Sequence, residues 1–99
     1  MNVEDPEVML YKTLAKAKSE GVYNLLENVS TKVINLYMKR FGTKEYATSI
    51  DENEFTEQLI DCVNHLNATD EDTKKFFEKI QNKDEQSIII ATISALMLQ

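Results

Sequence analysis

Apolar side chains return at every third or fourth position along most of this chain, the spacing of one helix face. The first run opens at Asp5-Pro6, where a capping carboxylate and a proline at the first helical position start a helix. Leu10, Leu14 and Ala17 mark its stripe, Tyr11 and Ala15 widen it, and Gly21 stops it. In the second run Val22, Leu25, Leu26, Val29, Val33, Leu36, Tyr37 and Phe41 repeat at helical spacing. Lys39 and Arg40 suit the negative end of the helix dipole, and Gly42 supplies the C-cap. Ser30-Thr31 is weak in helix propensity and a place for a bend. Residues 43–50 read as a loop.

A third helix is predicted from Ser49 or Asp51, since each has a Glu three residues on, as in a capping box. Its buried stripe is Phe55, Leu59, Cys62, Val63 and Leu66, and it ends near Asn67. Thr69 then starts a fourth helix with Asp70, Glu71 and Asp72 in its first turn and Phe76, Phe77 and Ile80 as its apolar side. Asn82-Lys83 makes a turn. From Ile88 to Leu98 only Thr92 and Ser94 are polar. Ile89, Ile90, Ile93, Leu96 and Met97 form one face of this last segment, and Ile88, Ala91, Ala95 and Leu98 a second. The run Ile88-Ile89-Ile90 would also suit a strand, but no partner strand is evident, so helix is the reading. A helix apolar on two faces belongs at the centre of a bundle, or else turns one face to another chain. The whole pattern predicts an all-α fold: one domain over 1–99, a compact bundle of four or five short helices.

Composition narrows the classes. Two Gly and one Pro in 99 residues are too few for a sandwich of many short strands. One Cys allows no internal disulfide framework, which suits a reducing compartment. The opening Met1-Asn2-Val3-Glu4-Asp5-Pro6 has neither the positive nor the apolar region of a secretory signal, so a cytoplasmic location is expected. The glycosylation triplets Asn28-Val29-Ser30 and Asn67-Ala68-Thr69 then read as chance matches. The last apolar run is too short to cross a bilayer, and no membrane association is expected.

Charge is unevenly placed. Residues 1–42 carry six Lys/Arg against five Asp/Glu, whereas 43–99 carry five against twelve. Residues 45–72 hold nine carboxylates and no Lys or Arg. The formal net charge of −6 opposes nucleic-acid backbone and anionic lipid, and attracts basic partners. Glu54, Glu57 and Asp61 recur at helical spacing opposite the Phe55–Leu59–Leu66 face, with His65 on the flank. These four residues are the candidate partner-binding site, for a protein with a basic surface. Protonation of His65 would weaken that docking at low pH.

Catalytic and metal chemistry find little to stand on. There is no Gly-rich phosphate loop, no Gly-x-Ser-x-Gly and no His-Glu-x-x-His. Cys62 and His65 are three apart on a helix, but structural zinc takes four ligands and the chain holds one of each. Cys62 falls on the apolar stripe beside Asp61, which disfavours a thiolate. No enzyme activity, cofactor or metal is expected. The reading is a small acidic regulatory or inhibitory protein that binds a protein partner. One alternative is a homo-oligomeric module, such as a homodimer, joined through Ile88, Ala91, Ala95 and Leu98. Another is a helix-turn-helix nucleic-acid binder built on segments three and four. Its recognition turn would be Asp70-Glu71-Asp72, which repels phosphate and makes nucleic acid the weaker partner.

Overall fold

A computed structural model describes residues 5–99, so the opening residues Met1 to Glu4 lie outside the described residues. The described residues form six helices and no strand: α1 (Pro6–Ser19), α2 (Leu25–Arg40), α3 (Lys44–Ser49), α4 (Glu52–Thr69), α5 (Glu71–Lys79) and α6 (Lys83–Leu98). The all-α bundle is therefore what the periodicity indicated.

Short polar side chains start most of these helices by accepting N–H groups that have no carbonyl partner within the helix. Asp5 accepts from the Glu7 N–H, Asp51 from Asn53, Asp70 from Thr73, and Asn82 from Asp84 and Glu85. Asp70 also ends α4, its own N–H donating to the Leu66 carbonyl at 2.7 Å. Thr69, expected as a cap, is instead the last residue of α4. The carboxylate two-point contact with Thr73 selects Asp70.

Three boundaries differ from the sequence reading. Val22 belongs to the turn before α2, buried there, with its N–H donating to the Ala17 carbonyl. Residues 43–50 contain α3, a six-residue helix that buries only Ala47. One buried side chain produces no periodicity, so this helix is silent in the pattern. Ser30-Thr31 does not interrupt α2; the Ser30 hydroxyl donates to the Leu26 carbonyl and is buried within the continuous helix.

One apolar cluster joins the helices, with Val29, Val33, Tyr37, Leu59, Phe76, Ile89 and Ile93 among its buried members. On α1 the covered residues are Thr13 and Ala17, while Leu10 and Leu14 are half-buried and Tyr11 is exposed. Thr13 can sit inside because its hydroxyl donates to the Met9 carbonyl at 2.8 Å. Leu36 is likewise half-buried, packed on the cluster from its edge.

The body measures 35 × 35 × 19 Å. Within it α6 packs against α1, α2, α3 and α4, the central position its apolar run suggested; it buries Ile89, Ile93 and Met97 and leaves Ala91, Ala95 and Leu96 exposed.

The turn into α3 depends on Gly42. A Cβ there would lie 2.7 Å from the Tyr46 Cβ and 2.8 Å from its Cγ. Both are close to rigid backbone, so Gly42→Ala is expected to destabilise by about 1–3 kcal/mol. Gly21→Ala meets nothing within 4 Å and carries only the strain of φ +75°, about 1 kcal/mol. Thermal melts of the two variants should rank in that order.

Candidate functional site

The acidic stretch and the basic first half meet across the fold. Lys32 on α2 bonds Asp70 at 2.7 Å and lies 3.6 Å from Asp72. Arg40, at the end of the same helix, bonds Asp61 at 3.1 Å. Lys16 on α1 bonds Glu85 at 2.9 Å. Each pair joins a cation from residues 1–42 to a carboxylate from 43–99. These partly exposed pairs contribute little stability individually. Their importance is that they decide which carboxylates remain uncompensated.

The predicted stripe is divided by this pairing. Glu54, Asp61 and His65 share the side of α4 nearest α2, and Glu57 sits farther round on the solvent side; all four are exposed. Arg40 reaches two of them: Nη1 donates to Asp61 and Nη2 lies 3.3 Å from His65 Nδ1. A guanidinium only donates, so Nδ1 accepts and the imidazole proton sits on Nε2. Protonated His65 would lose this contact and face a second cation. Glu54 and Glu57 form no ion pair among the described residues.

Further exposed carboxylates flank the turn at Ile50-Asp51. Glu45 on α3, Asp51 at the cap of α4, and Glu52 in its first turn are exposed, and none forms an ion pair among the described residues. The carboxyl of Glu45 is held below its usual range by a backbone N–H and by the Thr43 hydroxyl. The result is an acidic edge at the α3–α4 corner. Sequence reasoning placed Glu54 and Glu57 in the site and included Asp61 and His65 without Arg40. Helical spacing carries no signal for a cation twenty-one positions away.

Behind this edge lies a polar chain. Tyr37 donates its hydroxyl to Gln58 Oε1 at 2.7 Å, and Gln58 Nε2 donates to the Tyr46 hydroxyl at 3.2 Å. The chain ties α2, α3 and α4 together and fixes the corner. Burial pushes the Tyr37 hydroxyl up to about 12. Burial also pushes the Cys62 thiol up, so it packs as a core thiol. Among the described residues no cluster of three or more His, Cys, Asp or Glu is placed to hold a metal ion.

Grooves flank α6. One, about 540 Å³, runs between α2 and α6 past Tyr23, Leu26, Ile34 and Leu96, with Glu27 as its charged residue. Another, about 370 Å³, runs between α4 and α6 over Leu59, Ile60, Ile90, Ala91 and Ala95, with Glu52 at one end. Of the residues proposed for an oligomer interface, Ala91 and Ala95 lie on this open side. Ile88 and Leu98 are half-buried, and Leu98 packs on the core.

On α5, Thr73, Phe76 and Phe77 face inward, and Lys74, Lys75 and Lys79 outward. Its first turn is the acidic Asp70-Glu71-Asp72 group, partly compensated by Lys32. No helix of the described residues is long and apolar enough to cross a membrane. No protein-family model matches this chain, and neither the curated proteins nor the solved structures supply a relative.

Proposed function

We propose that this chain is a non-enzymatic regulatory module that docks a basic segment of a partner protein on its α3–α4 corner. The observation that carries the reading is that the exposed carboxylates Asp51, Glu54 and Glu57, with Glu45 on α3, form no ion pair among the described residues, whereas Arg40 engages Asp61 and Lys32 is shared between Asp70 and Asp72. A fixed cluster of carboxylates steers and orients a cationic partner, with an on-rate that falls as salt rises. The Tyr37–Gln58–Tyr46 chain supports it by holding the corner rigid. Asp61 and His65 form the boundary of the edge, where Arg40 offsets the Asp61 charge.

A Lys/Arg-rich helical peptide is a suitable probe. Glu54→Lys/Glu57→Lys together should weaken its binding at least about tenfold at low salt, the scale of close interfacial charge pairs. Asp61→Asn should change it by less than about twofold, since Asp61 is already engaged by Arg40. Amide shifts on titration should gather at 45–57. Equal losses from both variants, or shifts spread over the whole surface, would show general charge attraction and no docking edge.

A further inference from the structure

The α4–α6 groove continues past Ile60 and Ile90 to the start of α6, where Lys83, Gln86, Asn64 and Asn67 line it. Glu52 and Thr56 share the groove with Ser94 and Ala95, whereas Asn67 shares it with Lys83. The two helices therefore run antiparallel, and the groove has an acidic end and a basic end with an apolar floor between. Ile60 is 37% exposed on its wall, and Ala91 and Ala95 are exposed on the other side.

We propose that this groove takes α6 of a second copy of the chain, antiparallel, across a two-fold axis close to Ala91. A two-fold contact sets the same patch against itself, so the patch must be self-complementary. This one is. Rotating a copy about Ala91 lays the start of its α6 along the end of the first. Lys83 of each copy then meets Glu52 of the other, twice over. Lys83 lies eight residues before Ala91, about 12 Å along the helix axis. Glu52 stands beside Ser94 and Ala95 on the opposite side of that point, within reach of a lysine side chain. Ser87, Ala91 and Ala95 are small enough to let the two helix backbones approach, and Ile60 covers the contact from the wall. In the α2–α6 groove Glu27 is the charged residue, and the nearest cation, Lys18, is already engaged over the Tyr23 ring. Glu54 and Glu57 lie round α4 from the groove, whereas Glu52 at the same corner is taken up by the dimer; Glu54→Lys/Glu57→Lys should leave the dimer unchanged, which separates the two readings.

Sedimentation equilibrium from about 5 to about 500 µM tests the proposal, with the weak, micromolar association that a small interface gives. The wild type should show a monomer–dimer equilibrium. Glu52→Lys and Lys83→Glu should each raise the dissociation constant about tenfold, and the double exchange should restore it to within about threefold of wild type. Ala91→Arg, on an exposed helical position, should leave the far-ultraviolet spectrum unchanged and abolish the dimer. A monomer at every concentration overturns the proposal. So does a dimer that ignores Ala91→Arg, or one whose charge exchange fails to restore what the single reversals remove.

Discussion

Tyr37→Ala is expected to remove about 3–5 kcal/mol of stability, the range for truncating a large aromatic in a core. Tyr37 has no solvent exposure and is among the largest fully buried side chains. Its ring lies 5.2 Å from Phe41 in a tilted contact and 5.3 Å from Phe55 edge to face. The truncation empties the junction of α2 and α4 and also strips the donor from Gln58. A domain of this size has about 5–15 kcal/mol in total, so the loss is a large fraction of it. Tyr37→Phe separates the two parts. It keeps the ring and removes only the hydroxyl, and should cost about 1 kcal/mol, the net worth of one hydrogen bond. Urea unfolding followed by circular dichroism gives both numbers if the slope is unchanged. The same hydroxyl sets an alkaline limit. Folding raises its pKa to about 12 from a usual value of 10, so the unfolded chain ionises first. That part of the stability is complete below about pH 10 and declines as pH rises towards 12. The Tyr37→Phe variant should lack this decline. An alanine variant within about 1 kcal/mol of wild type would mean that the aromatic cluster is not the core.

The second large loss is expected at the α4–α5 junction. Asp70→Ala should cost about 2–3 kcal/mol: about 1 for the cap, and the rest for a buried hydroxyl left without its acceptor. Asp70 Oδ2 accepts from both the N–H and the hydroxyl of Thr73, each at 3.0 Å, and Thr73 is fully buried. The Lys32 ammonium holds the Asp70 carboxyl below the usual carboxylate range, and the Thr73 N–H adds to the effect. The folded state therefore binds this proton more weakly than the unfolded chain does. The contribution is present above pH about 4 and is lost as pH falls through the depressed folded value. Asp70→Asn keeps an accepting oxygen but not the charge. The stability gap between wild type and Asp70→Asn should accordingly be open at pH 7 and narrow progressively as pH falls below about 4. A gap that stays constant over this range would separate the cap from its ionisation.

The candidate site was partly legible. Glu54 and Glu57 could be found because spacing along one helix is a local property. Their separation from Asp61 and His65 could not, because it is made by Arg40 on α2, and nothing in α4 encodes which cation will lie beside it. The α3 helix escaped notice for a related reason. It makes one turn and a half, buries Ala47 alone, and earns its place by presenting Tyr46 to Gln58.

What the amino-acid order settled by itself was the helical character and most of its punctuation. Asp5-Pro6 and Asp51 stand where they were expected, because capping and i to i+4 spacing act within a turn or two of chain, whereas the C-cap of α2 is Phe41 and Gly42 follows it. Tertiary structure alone decided which faces are covered. It put Thr13 inside and Tyr11 outside, and left Ala91, Ala95 and Leu96 of α6 exposed. Burial depends on what lies opposite, and an apolar side chain without a partner helix stays in water. The same physics placed the charges: cations from the first half came to rest on part of the acidic second half, and Glu54 and Glu57 are among the carboxylates they did not reach.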